Sequence, residues 1–216
     1  MRHLKPLAWS DLLADPPHTA LFSVDLINGF CYEGNLASLR VARIVPATAQ
    51  LFAQAYARGL RQFVLIQEWH DEQAEEFKAF APHGIRHTRE AQTVAALASL
   101  PFADTFTIMH KNSVDSAAGT ELDAWLDAHP LDTVIVVGDC TDICVFLLAL
   151  HLRTRANACN QLLRIIVPAN CVDTYDLPIE MARQVGALPH DGELLHDLFL
   201  YEMALHGIEV VQAIME

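Results

Sequence analysis

Two cysteines, Cys140 and Cys144, stand close together in the stretch VIVVGDCTDICVFLLAL, residues 134–150. The spacing does not match a Cys-x-x-Cys redox pair, and no second pair lies at zinc-finger distance. It does match an apolar strand that closes at Gly138 and a helix that begins near Cys144, with Thr141 or Asp142 as its cap. A thiol in a helix's first turn lies beside unpaired amides and the positive end of the helix dipole, both of which favour a thiolate. The ends of other apolar runs supply partners for it. Asp25 follows ALFSV, Lys111 follows TFTIMH, and Glu68 to His70 follow QFVLIQ. A carboxylate can take the thiol proton and return it to a leaving amine, and an ammonium steadies the thiolate. The amides of Cys140 and Cys144 can hold the oxyanion of a tetrahedral intermediate. On this reading Cys144 attacks, and Cys140 matters through its backbone. The residues alone leave a second reading open: a core cysteine, a turn aspartate and a solvated lysine, none of them reacting. Cys31, Cys159 and Cys171 are read in that second way, as small hydrophobes.

The elements that must position these groups follow from alternation of short apolar runs and helix-length segments. Strands are predicted at 20–27, 62–67, 105–110, 133–138, 163–168 and 208–214, and helices at 38–58, 88–99, 119–129, 142–158 and 178–205, the last divisible in two. Strands apolar on both faces and separated by helices imply a mostly parallel sheet covered on both sides. The expected fold is a three-layer α/β/α domain over residues 1–216, Rossmann-like, with a six-stranded sheet. In such a sheet ligands bind beyond the carboxyl ends of the strands, where Asp25, Glu68, Lys111 and Cys144 all fall. The segment 68–88, EWHDEQAEEFKAFAPHGIRHT, breaks the pattern, and a long loop of this kind in an α/β domain is usually functional.

Composition narrows the partners. The formal charge of -13 over 216 residues argues against nucleic acid and anionic membrane. Five cysteines, an odd number at irregular spacing, do not form a secreted disulfide framework and point to a reducing cytoplasm. The N-terminal MRHLKPLAWSDLLADPP has acids and no continuous apolar core of a signal peptide. At 52% hydrophobic residues the chain is richer in apolar residues than an average soluble domain, which predicts a homo-oligomer.

The segments SVDLINGF, QEWH, FAPHGIRHT, HKNSVDSAAGT and VVGDCTDICV, in this order from about Leu21 to Val172, resemble the isochorismatase-like cysteine hydrolases, and nicotinamidases most within them. The resemblance implies an Asp-Lys-Cys triad at Asp25, Lys111 and Cys144, a cis bond between Asp139 and Cys140 beside the oxyanion site, and a thioester on Cys144 during cleavage of a small carboxamide. It implies that Asn28 orients Asp25 at the substrate side, and that Phe30 and Phe80 line a ring pocket. It also implies a divalent metal held by Glu68, His70 and His83, with Glu76 as a further ligand. Two imidazoles and a carboxylate suit zinc, whereas a Glu76 ligand tilts the preference toward manganese or iron. Two segments depart from the family pattern, Asn28-Gly29-Phe30 and Gly84 to Thr88, and both bear on the substrate pocket. The expected reaction is hydrolysis of nicotinamide to nicotinate and ammonia. The alternatives are an isochorismatase, an N-carbamoyl or ureido amidohydrolase, and a non-catalytic binding protein on the same fold. His190 and His196, six apart and off the i, i+4 spacing, are read as ordinary surface histidines.

Overall fold

The computed structural model describes residues 4–12 and 16–216; residues 1–3 and 13–15 of the N-terminal segment read above lie outside the described residues. Its strands are β1 (Leu7–Ala8), β2 (Thr19–Val24), β3 (Gln62–Glu68), β4 (Thr107–Lys111), β5 (Thr133–Asp139), β6 (Arg164–Pro168), β7 (Val172–Asp173), β8 (Glu209–Val211) and β9 (Ile214–Met215). Its helices are α1 (Trp9–Leu12), α2 (Asn28–Cys31), α3 (Leu39–Ala57), α4 (Ala95–Ala98), α5 (Leu122–Ala128), α6 (Cys144–Ala158), α7 (Ile179–Val185) and α8 (Gly192–Leu205). The six expected strands form one parallel sheet in the order β4-β3-β2-β5-β6-β8.

Alternation along the strands explains the three layers. Leu21, Leu65, Ile135 and Val137 enter one core with Val45, Leu51 and Phe52 of α3. Their strand neighbours Phe22, Ile66, Val134 and Val136 enter the other core with Leu148 and Leu152 of α6 and Met203 of α8. With a period of two, a strand buried on both faces sends successive residues to opposite cores. Leu148 is fully buried there, and its truncation to alanine would cost about 2–5 kcal/mol.

The chain runs outward from β2 through β3 to β4, then returns to place β5 on the other side of β2 and continues through β6 to β8. The β2/β5 junction is therefore the point where strand order reverses, and the crevice beyond it is where ligands bind in such sheets. Gly138 makes that junction close. It has φ +120°, and a Cβ there would lie 2.0 Å from the Val24 carbonyl oxygen, so the position admits only glycine.

The structure departs from the expected elements in several places. A seventh strand, β7, pairs with Gly138 and Asp139 where β6 has already ended its pairing with β5 at Ile135. A turn at Ala169–Cys171 separates β6 from β7, too short a break for apolar periodicity to register. Only Ala95–Ala98 of the helix expected at 88–99 forms; the amides of Gln92 and Val94 donate instead to Arg89 and to Leu26, as in a braced loop. The span 178–205 divides in two, as the sequence allowed, at Gly186, whose left-handed φ of +69° ends α7. Finally, β1 and β9 form a separate parallel pair. No helix among the described residues is long and apolar enough to cross a membrane.

Candidate active site

Register brings the charges together. Glu68 and Lys111, the last residues of β3 and β4, are side-by-side partners in the sheet. Asp25 follows β2 in the left-handed region, at φ +53°, a conformation aspartate tolerates better than most residues. There its Oδ1 accepts from the Glu68 amide at 2.8 Å, and its Oδ2 lies 2.8 Å from Lys111 Nζ. The same ammonium lies 2.9 Å from Glu68 Oε1 and 3.8 Å from Cys144 Sγ. Asp25, Glu68, Lys111 and Cys144 are all buried. Oxygens of the two carboxylates and the Cys144 sulfur lie within 4.8 Å of one another.

Burial sets the protonation of this group. Desolvation pushes the Asp25 carboxyl up, Lys111 pulls it back and Glu68 adds to the rise, leaving it at about 6. For Glu68, burial is outweighed by Lys111 and by His70 and His83, and its carboxyl is held well below the usual range. Burial likewise opposes the charge on Lys111, but Asp25, Cys144 and Glu68 outweigh it and keep the ammonium. The thiol behaves differently from the expectation. Burial drives the Cys144 pKa well up; Lys111 lowers it, while Asp25, Glu68 and Asp139 add to the rise. The resting pair is thus a neutral thiol beside a carboxylate, because the ammonium that would steady a thiolate is already shared by two acids.

The turn between β5 and α6 supplies amides. The Asp139–Cys140 peptide is cis. The amides of Thr141, Ile143 and Val145 donate to the carbonyl oxygens of Asp173, Cys140 and Cys140 respectively. The amides of Cys140 and Cys144 have no acceptor among the described residues, and they are the two assigned from sequence to an oxyanion. The expected caps are elsewhere. Ile143 occupies the cap position with no side-chain bond. Thr141 Oγ1 instead lies 2.9 Å from His196 Nδ1, and Asp142 Oδ2 lies 2.8 Å from His190 Nε2. The reading of His190 and His196 as surface histidines is therefore corrected: His190 is buried, His196 is half-buried, and each contacts a side chain of the turn before Cys144. Histidines this far along the chain carry no local spacing signal that would have shown it.

Beside Glu68 lies the second cluster. Glu68 Oε2 is 2.7 Å from His83 Nε2 and 3.2 Å from His70 Nε2, and Glu76 Oε1 is 3.8 Å from His70 Nε2. His83 Nδ1 faces the Ala81 carbonyl oxygen at 2.7 Å, and His70 Nδ1 faces Asn112 Oδ1 at 3.1 Å, an oxygen that also accepts from the Asp71 amide. Both δ nitrogens are therefore committed as donors, which points both ε nitrogens at carboxylates. Glu68 Oε2, His70 Nε2 and Glu76 Oε1 are buried without a formed hydrogen bond. Imidazole ε nitrogens and carboxylate oxygens converging on one point, with the other ring nitrogens anchored, are what a divalent cation needs of its ligands and their supports. The residues fit a metal, and all four ligand atoms lie within 4.8 Å of one another.

Phe30, Phe80, Glu68, Glu76, His83, Cys140 and Cys144 border one narrow apolar cleft, completed by Leu36, Val114, Ile143 and Tyr175. Sequence reasoning missed these last four, which lie on loops and turns without periodicity. Asn28 does not orient Asp25. It opens α2, and its side-chain amide donates to the Arg89 carbonyl oxygen at 3.0 Å, while the Glu68 amide holds Asp25.

Comparison with known proteins finds relatives of this chain. The isochorismatase domain matches residues 19–211. Nicotinamidase 1 of Arabidopsis thaliana is 30% identical over 210 residues, 90% of this chain and 85% of that protein. Among solved structures, the N-carbamoylsarcosine amidase of Thermoplasma acidophilum is similar at a TM-score of 0.68 and 23% identity, covering 90% of this chain and 95% of that one. The pyrazinamidase of Pyrococcus horikoshii in complex with zinc is similar at 0.70 and 21% identity, covering 91% and 99%. These two likenesses speak for the fold.

Proposed function

The chain belongs to the isochorismatase family, and we propose that it is a single-domain cysteine amidohydrolase acting on a small neutral carboxamide, nicotinamide foremost. The observation that carries this reading is the contact of Asp25 and Lys111, and of Lys111 and Cys144, where Cys144 borders an apolar cleft that His83, Glu68 and Glu76 also border.

In the reaction, Cys144 Sγ attacks the carboxamide carbon as Asp25 takes the thiol proton. Burial keeps the resting thiol protonated, so Asp25 has a proton to take as the sulfur attacks. The amides of Cys140 and Cys144 hold the oxyanion. When the intermediate collapses, the carbon–nitrogen bond breaks and Asp25 returns the proton to the departing ammonia, leaving a thioester. Water then attacks the thioester with Asp25 accepting its proton, and the acid leaves as Cys144 recovers the thiol. Lys111 holds Asp25 in place throughout. Glu68, Glu76, His70 and His83 would hold the divalent metal, zinc or else manganese or iron, which when bound supplies a Lewis-acid anchor for a ring nitrogen.

Charge separates this reading from its rivals. Isochorismate and N-carbamoyl amino acids carry carboxylates, and among the described residues no lysine or arginine borders the cleft to receive them: Lys111 is engaged by two acids, and Glu68 and Glu76 add negative charge. An ammonia-release assay over nicotinamide, pyrazinamide and ureido acids, run beside elemental analysis of wild type and His70→Ala, tests both substrate and metal. Nicotinamide turnover with stoichiometric metal, both lost in His70→Ala, is expected. Cleavage of ureido acids alone by metal-free protein would overturn the reading, and no turnover at all would favour a binding protein.

Two further expectations belong to it. All five cysteines are free, which supports a cytoplasmic site of action. Leu194, Leu198, Tyr201 and Leu205, exposed at helical spacing along α8, support a homo-oligomer, for which light scattering should return a mass above 24.0 kDa.

A further inference from the structure

One buried histidine touches both the nucleophile's turn and the wall of the cleft, and nothing in the reaction above uses it. His190 is 8% exposed. Its Nε2 lies 2.8 Å from Asp142 Oδ2 and its Nδ1 2.9 Å from the Tyr175 carbonyl oxygen. Its ring stacks on the Tyr175 ring, with centroids 3.8 Å apart and planes 17° from parallel. Its backbone is pinned by two hydrogen bonds exchanged with Leu177, at 2.8 and 2.9 Å.

The two ends of this contact matter to the site. Asp142 lies two residues before Cys144, and Tyr175 borders the cleft beside Cys140, Ile143 and Cys144. Both oxygens facing the imidazole accept hydrogen bonds, so a neutral ring bonds one of them and a protonated ring bonds both. Burial pushes the Asp142 carboxyl up, but His190 and Thr174 together outweigh it and the carboxyl stays below its ordinary range. Further support stands behind Tyr175. The Gly192 amide donates to Asp176 Oδ1 at 2.9 Å, and a Cβ on Gly192 would lie 2.4 Å from the Tyr175 carbonyl oxygen. Only glycine lets the start of α8 press this close.

We propose that His190 is a positioning residue that fixes the Cys144 turn through Asp142 and fixes the aromatic wall of the cleft through Tyr175. The proposal rests on Cys144 being the reacting thiol, and it is independent of which amide is cleaved. Without the imidazole, Asp142 loses its histidine partner and the Tyr175 ring its stacking surface. The turn and the wall then loosen together, and Cys144 becomes more accessible while its placement for attack worsens.

The test uses the full chain and reads each cysteine separately. In His190→Ala, alkylation of Cys144 by iodoacetamide should speed up about five-fold or more, because it reports local opening. Buried Cys31 and Cys171 should stay as slow as in wild type, with exposed Cys159 as the reference. On nicotinamide, kcat/KM should fall about ten-fold or more, and Asp142→Asn added to His190→Ala should lower it little further, since both act through one bond. His190→Gln, which keeps a side-chain donor, should restore part of both effects. A folded His190→Ala with Cys144 alkylation and kcat/KM within about two-fold of wild type would overturn the proposal, as would losses at His190 and Asp142 that multiply. Should His190→Ala unfold, Cys31 and Cys171 react along with Cys144, and His190→Gln decides: wild-type Cys144 reactivity in that variant overturns the proposal. If the wild type cleaves no nicotinamide, the functional reading fails while the alkylation measurement still decides the role of His190.

Discussion

On one side of the β2/β5 junction the site is made by strand termini, and on the other by a turn held from a distance. Asp25, Glu68 and Lys111 stand at or just past the ends of β2, β3 and β4, and the parallel register alone brings them into contact. Cys140 to Cys144 follow β5 equally directly, but the side chains that hold their turn come from residues 190 and 196, close to fifty positions along the chain. Arg40, near the start of α3, adds another long-range tie, with its guanidinium 2.7 Å from Asp173 Oδ1 on β7. The charged half is positioned by the sheet and the thiol half by tertiary contacts. The first is accordingly a matter of electrostatics, and the second a matter of geometry.

Substitutions can separate the two halves. The largest effect belongs to the thiol itself. Cys144→Ala should lower kcat by about 10⁴-fold or more with the fold intact, whereas Cys140→Ala, which keeps its amide, should lose far less. Equal losses in steady-state kinetics would erase the proposed division between attacking sulfur and oxyanion amide. Next comes Lys111→Met, which leaves Asp25 and Glu68 buried without their cation. It should destabilise the protein by about 3–5 kcal/mol in urea unfolding, besides abolishing turnover.

The pH profile offers a subtler probe of the charged half. With Asp25 at about 6, the carboxyl is protonated below that pH and cannot accept the thiol proton, so kcat/KM should fall about ten-fold per pH unit on the acid side. The sign for stability is opposite. Between the ordinary 3.8 and about 6 the folded state holds a proton the unfolded state has released, so the stabilisation from this group is lost as pH rises through about 6. Parallel movement of activity and stability across that window would contradict the assignment. The smallest expected effect is at Asn28, whose amide braces the Arg89 carbonyl oxygen rather than Asp25. Asn28→Ala should shift the Asp25 limb of the pH profile by less than about 0.3 unit, well inside the one-unit spread of ordinary carboxylates.

The same division explains what could be read from sequence. Asp25, Glu68, Lys111 and Cys144 were accessible because strand ends in a parallel sheet converge, and apolar runs reveal where strands end. The sheet and its flanking helices followed from the same periodicity, which also limited the reading. The two-residue β7 has too few residues to show a period, and the loop expected as helix at 88–99 is decided by backbone bonds to Arg89 and Leu26. Thr141 and Asp142 look like caps in sequence because their residue types favour capping. They serve His196 and His190 instead, a diversion visible only once α8 is packed. The raised thiol of Cys144 was unreadable for a related reason. Its direction depends on how one ammonium is divided among Asp25, Glu68 and the sulfur, and that division is a property of distances.

The central claim is that Cys144 carries the acyl group during turnover. Rapid acid quenching of enzyme mixed with excess nicotinamide, followed by peptide mass spectrometry, tests it directly. The account predicts a nicotinoyl thioester on the peptide containing Cys144, absent from Cys144→Ala and reduced in Asp25→Asn. Sustained ammonia release by wild type and by Cys144→Ala alike, with no acyl mass on Cys144, would contradict it.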